Sequence, residues 1–207
     1  MRSMLKSAIY DSLTQIYNAF HLLDLAINPR KSACIRIGPR YNARCSNITT
    51  DGGHELTWCE EIRYLGMYLT ASREYRCSHS NAKRSFYRAF NAMYGKVGRC
   101  ASEEVIVELL KLKCLPVFFY GLESCPINKS QTRSLDFAIN SAFSKIFCMN
   151  SRGDIERCRM FFNCLPVADS LYKRKRTFLC KYISSSSILC HLFASTATDE
   201  CGKVQSV

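Results

Sequence analysis

The chain has no apolar stretch long enough to cross a bilayer. Its longest strongly apolar run, Cys114 to Leu122, is broken by Pro116, whereas a membrane helix takes about 20 apolar residues. The opening "MRSMLKSAIYDSL" has basic residues but no apolar core leading to a small-residue cleavage site, so no secretory signal is read. The expectation is an intracellular chain without a membrane partner. Also missing is any C-x-x-C: the thirteen cysteines sit singly from Cys34 to Cys201, and the closest two, Cys158 and Cys164, are six apart. That scatter excludes the usual zinc modules and reads as reduced, mostly buried thiols acting as small hydrophobes. Cys100, Cys114 and Cys125, inside apolar segments, are expected in the core. Cys77 with His79, or Cys190 with His191, would need distant partners to hold a metal, so no metal site is expected. The sequence also has no Gly-rich phosphate loop, no ordered Ser/His/Asp constellation and no internal repeat.

Acids are scarce where bases concentrate. Against a net charge of +12, residues 82–99 carry five Lys/Arg and no acid, residues 1–50 seven against two, and residues 151–183 eight against three. The intervening blocks are neutral or acidic, with three bases against five acids in 51–81 and five of each in 100–150. Three basic blocks set apart in this way suggest a directed positive surface, which favours a polyanion, most often nucleic acid. A generally basic protein is the alternative.

With 47% apolar and 22% charged residues the chain should bury a core. Residues 4–27 repeat apolar groups at Leu5, Ile9, Leu13, Ile16, Phe20 and Leu23, one stripe of a helix stopped by Asn28-Pro29. "SACIRIG" reads as a strand, "CSNIT" and "HELTW" as a hairpin about Asp51-Gly52-Gly53, and "EIRYLGMYLT" as a third strand with one buried face. From about 81 to 183 the period changes to helical. Asn81 is the expected cap of a helix whose apolar face is Phe86, Phe90, Met93 and Val97; Ser102 with Glu103 and Glu104 starts another. "PVFFYGLES" suits a buried short helix, Ser130 caps a helix through Leu135, Ile139, Phe143 and Ile146, and the pattern continues in "DIERCRMFFN" and "SLYKRKRTFLCKYI". The tail, 184–207, has no periodicity. The fold class is α+β, with a boundary near 72–80.

In order, "INPRKSACIRIG", "RYLGMYLT", "AKRSFYRAFNAMYGKVGR", "ASEEVIVELLKLKCLPVFFYGLES" and "SLDFAINSAFSKIF" resemble the C-terminal half of reverse transcriptases of non-LTR, LINE-type retrotransposons, over about residues 5–182. The resemblance implies that residues 1–72 are the end of a polymerase palm and 81–183 a helical thumb with the region following it. It implies that Lys31 matches an accessory palm lysine near the departing pyrophosphate. Tyr64, Leu65 and Gly66 would match the primer grip, a hairpin that holds the primer's 3′ end, where glycine lets a nucleic-acid backbone approach closely.

The family's polymerisation needs paired aspartates to hold two divalent metals, Mg²⁺ in the full-length enzymes, and this sequence has no adjacent Asp-Asp. The implied chain begins just after those carboxylates, so no cofactor is expected for it alone. It is expected to be inactive by itself and at most to grip an RNA/DNA or DNA duplex through phosphates, with the missing polymerase half as a further partner. Lys83, Arg84, Arg88, Lys96 and Arg99 are the candidate phosphate contacts, beside a solvated helix face as the alternative. "KRKR" at 173–176 reads as a nucleic-acid contact or an import signal. The rival reading is a non-enzymatic basic helical module that binds nucleic acid or protein, or a remnant without function.

Overall fold

The computed structural model describes residue 15 and residues 28–50, 52–98, 100–187, 190, 191 and 193–205. The helix expected over 4–27 lies outside the described residues, as does Arg99. The chain forms two compact units: one takes residues up to 62 together with 70–75, and the other takes 63–69 together with everything from Arg76 onward. The mixture of small sheets and helices makes the fold α+β.

In the first unit the strands β1 (Ala33–Cys34), β2 (Ile48–Thr49) and β3 (Glu55–Trp58) form a sheet in the order β1-β3-β2. β1 runs parallel to β3, with Ala33 opposite Thr57, and β2 antiparallel to it, with Ile48 opposite Leu56. The β2–β3 hairpin forms where the glycines predict it. Gly53 takes φ 75°, and its N–H closes the turn on the Thr50 carbonyl at 2.8 Å. The strand expected over "SACIRIG" shrinks to two residues because the chain changes partner after Cys34: Ile37 bridges to Ser72, and the Gly38 N–H donates to the Ser72 carbonyl. Arg36 holds the next bend by donating to the carbonyls of Arg40 and Ala43, while its guanidinium covers the Trp58 ring at 5.4 Å.

The single strand read from the alternation of "EIRYLGMYLT" is corrected to a hairpin, which stands where the resemblance implies one. β4 (Glu61–Tyr64) and β5 (Met67–Thr70) meet at Leu65 and Gly66, whose φ values of 47° and 82° turn the chain left-handed at both central positions. That backbone matches the right-handed twist of paired strands, so a two-residue turn replaces a continuous strand. A further strand, β6 (Arg76–Cys77), completes the order β4-β5-β6.

The second unit is mainly helical. α1 (Ser80–Val97), α2 (Glu103–Leu109), a π-turn (Leu110–Cys114), α3 (Leu115–Phe119) and a 3₁₀ turn (Leu122–Ser124) lead to α4 (Lys129–Phe147), α5 (Arg152–Phe161), α6 (Val167–Ile183) and α7 (Ala194–Gln205). The π-turn falls where Pro116 removes the N–H that would bond to Leu112 and its ring crowds the preceding turn, so the helix widens rather than breaks. One apolar core joins these helices, with Phe86, Val107, Leu110, Phe118, Leu135, Ile139 and Phe143 excluded from solvent. The expected apolar stripes of α1 and α4 supply much of it.

Three expected boundaries shift. α1 starts after His79 rather than Asn81, and α4 is capped by Asn128, whose side chain accepts from the Gln131 N–H while Gln131 reciprocates, so Ser130 is already inside the helix. α7 occupies the tail in which no periodicity is read. Its Ser/Thr-rich sequence carries little apolar signal, and it is placed by packing on α6, with Ala197 buried and Glu200 paired to Lys175.

The cysteine expectation is also corrected. Cys77 and Cys125 form a disulfide, their Cα atoms 5.9 Å apart across a separation of 48 residues. Cys100 is exposed together with Cys45, Cys148 and Cys180, and only Cys114 and Cys164 are buried free thiols. Sequence spacing hides this pair because folding, not the chain between them, brings the two segments together.

One buried charge ties three helices. The Arg159 guanidinium, 5% exposed, donates to Asp136 at 3.1 Å, Asn140 at 2.6 Å and the Leu165 carbonyl at 2.8 Å; the same Asp136 oxygen accepts the Val167 N–H at the head of α6. Burial strengthens these charge-assisted bonds and makes each partner costly to remove. Phe143, buried in the middle of α4, is the sharper test of the core: Phe143→Ala should cost about 3–5 kcal/mol in denaturant unfolding, with helical circular dichroism retained at low denaturant.

Candidate nucleic-acid interface

The spacing of α1 builds two faces. Phe86 and Phe90 point into the core, while Asn81, Arg84, Ser85 and Arg88, at offsets of three, four and seven, share another stripe. That stripe forms one wall of a cleft of about 590 Å³. Arg63, Gly66 and Tyr68 of the hairpin, and Pro116, Tyr120 and Gly121 beyond the π-turn, complete its lining. Three guanidinium groups therefore face one concave surface, and no carboxylate lines it among the described residues. Arg63 also lies 5.8 Å from the centroid of the Tyr68 ring, a cation–π contact that leaves its N–H groups for another acceptor.

Backbone geometry sets the hairpin tip against this wall. The Tyr120 hydroxyl donates to the Leu65 carbonyl at 3.1 Å, and the Gly66 backbone sits so close to the Tyr120 ring that a Cβ there would lie 3.0 Å from it. Gly121, at φ 73°, has no room for a side chain, because an added Cβ would collide with the Met67 sulfur. Met67 also accepts the Ser124 hydroxyl at 3.4 Å, and the Cys77–Cys125 bond closes the same corner.

The expected site residues separate into those the cleft gathers and those it does not. Arg84, Arg88 and Gly66 line it, with Tyr64 and Leu65 at the tip, 59% and 70% exposed. Lys83 turns to α4, donating to the Ser134 hydroxyl at 2.8 Å. Lys96 is exposed eight residues beyond Arg88, roughly 12 Å further along the axis at 1.5 Å per residue. Lys31 is an exposed turn residue of the first unit, its N–H bonded to the Asn28 carbonyl. The "KRKR" run is helical and partly engaged: Arg174 pairs with Glu123 at 3.8 Å and covers the Phe119 ring, and Lys175 pairs with Glu200. Lys173 and Arg176 are exposed.

The sequence reading misses Arg63, Asn81, Tyr68 and Tyr120 as lining residues. Arg63 directly precedes the Tyr64–Gly66 turn, which was its available signal; Tyr120 had none beyond the adjacent glycine. Among the described residues no group of three or more His, Cys, Asp and Glu lies together as a metal site would require, and no described helix is long and apolar enough to cross a membrane.

No family model, no curated protein and no solved structure matches the chain.

His79, at the N-terminus of α1, is 8% exposed, and its Nε2 has no hydrogen-bond partner among the described residues. Burial, then the Lys83 charge, holds its pKa below the ordinary 6.5. A depressed pKa means that the folded state favours the neutral ring. Its contribution to stability is complete above pH 6.5 and is lost as pH falls from there through the folded value. Urea midpoints measured downward from pH 7.5 should therefore drop more steeply for the parent chain than for His79→Gln.

Proposed function

We propose that these residues are the palm's end and thumb of a non-LTR retrotransposon reverse transcriptase, without the catalytic aspartates, and that they hold a primer/template duplex by its phosphates without polymerising. The observation that carries this reading is the cleft in which Arg63, Arg84 and Arg88 converge beside the Tyr64–Gly66 tip. Guanidinium groups without a neighbouring carboxylate suit phosphate oxygens, which they bind in a bidentate fork. The exposed Tyr64 ring, at the hairpin tip next to Arg63, can stack on a sugar or base. Lys31 keeps the place of an accessory lysine in the resemblance, and in the full-length family Mg²⁺ supplies charge neutralisation at carboxylates upstream of it. RNA/DNA and DNA duplexes are the expected ligands, and the polymerase half carrying the aspartates is the expected protein partner.

A second reading, a non-enzymatic module that binds a protein, draws on a different surface. Phe137, Met160 and Phe161 on α4 and α5 are 69%, 75% and 79% exposed, and exposed apolar groups of this size mark contact sites when they cluster.

Duplex affinity measured from 50 to 200 mM salt tests the first reading. Each neutralised phosphate contributes a slope of about −0.9 in log K against log salt, so Arg84→Ala/Arg88→Ala should flatten the slope by about two units. A salt-independent affinity, or a variant indistinguishable from the parent, would refute the cleft as the site. In a primer-extension assay with Mg²⁺ the purified chain should incorporate no nucleotide; incorporation would show that an active centre exists without the paired aspartates.

A further inference from the structure

The restraints on the hairpin tip are few and unequal. Among the described residues, and apart from the disulfide, they include one hydroxyl-to-carbonyl bond from Tyr120, van der Waals contact of Gly66 with the Tyr120 ring, and the Met67 sulfur against Gly121, Ser124 and the Cys125 sulfur at 3.9 Å. No ion pair joins the tip to the helices among the described residues, and every residue of β5 is only half-buried. The one covalent tie is Cys77–Cys125, which closes a loop of 48 residues and fixes β6 to the segment after the 3₁₀ turn. β6 continues directly into α1, and its neighbour β5 is held to it by the Ser78 N–H on the Tyr68 carbonyl at 2.8 Å. The disulfide thus restrains both walls that carry the guanidinium groups.

It is also within reach of chemistry. Both cysteines line the basic cleft, and Cys125 is only half-buried. The three arginines favour the approach of an anionic thiolate, the attacking species in disulfide exchange. The other eleven cysteines are free, so this pair alone distinguishes an oxidised from a reduced fold.

We propose that Cys77–Cys125 is a reversible latch on the cleft: closed, it holds the hairpin tip in place, and opened by a dithiol reductant it frees the tip and lowers the cleft's affinity for a phosphate backbone. The affinity half rests on the function proposed above. In the opening step the reductant's thiolate attacks the Cys125 sulfur and Cys77 leaves as a thiolate that takes a proton. The reductant's second thiolate then displaces Cys125. Two electrons and two protons pass to the protein, and the reductant becomes a disulfide.

The test uses the full chain, prepared oxidised and after dithiothreitol. Peptide mapping without reductant should recover Cys77 and Cys125 in one linked peptide. Amide hydrogen exchange over 64–69 and 76–78 should accelerate roughly tenfold on reduction while α4 stays unchanged, because loss of a loop constraint releases local rather than global structure. The dissociation constant for an RNA/DNA duplex should rise about fivefold as the arginine walls lose their preorganisation. Cys125→Ser should match the reduced chain and ignore dithiothreitol; unchanged circular dichroism would establish that it is folded, and the reduced parent gives the same comparison without a substitution. The latch is overturned if no linked peptide is found, if exchange at the tip ignores reduction, or if Cys125→Ser still responds. Equal affinity in both forms overturns its effect on binding. Absence of duplex binding in both forms instead removes the functional reading, and with it the affinity half, while the exchange comparison still decides whether the disulfide restrains the tip.

Discussion

The packing of Phe86 on Phe118, ring centroids 4.9 Å apart with both side chains fully buried, is the contact on which the rest of the helical unit depends. It fixes α1 against α3. Once Phe86 faces inward, helical geometry places Arg84 and Arg88 on another face, and once Phe118 faces inward, Tyr120 two residues later reaches the hairpin. The concentration of positive charge is thus a by-product of aromatic packing. Buried aromatics supply the driving force, and the arginines occupy the positions that the core leaves to solvent.

A basic cleft assembled this way differs from a merely basic surface. The arginines have no carboxylate beside them in the cleft, whereas several cations elsewhere in the unit do: Arg152 with Glu156, Arg157 with Asp154, Lys111 with Glu108, Lys175 with Glu200. Exposed pairs of that kind contribute little to stability, but they reduce the local positive potential. Where they are missing the potential persists, and a polyanion gains most there.

Much of the helical core was legible because apolar residues recur at the helical period. Phe86, Phe90, Leu135, Ile139, Phe143 and Ile146 all turned inward as read, and the β2–β3 hairpin followed from its glycines. What was not legible depended on partners distant in sequence. Cys77 found Cys125, and Tyr120 found Leu65, through a docking that neither local pattern encodes. Alternation alone read 61–70 as one strand, because it is the same in one strand as in two; the turn at Leu65-Gly66 was legible only through the resemblance, which implied a hairpin there. Of the candidate cations, the sequence could group Arg84 with Arg88 by spacing, but it could not reveal that Lys83, one residue away, belongs to a different helix contact.

The Arg159 network sets a rule for dividing the chain. Asp136 lies on α4, yet the cation that neutralises it comes from α5, and the backbone N–H that completes its coordination belongs to the first turn of α6. A fragment ending after α4 would leave a carboxylate partly buried with neither partner, and one ending after α5 would strip the N–H while keeping the charge pair. The smallest self-sufficient piece of the bundle therefore extends through α6, whatever portion of the interface it is meant to retain.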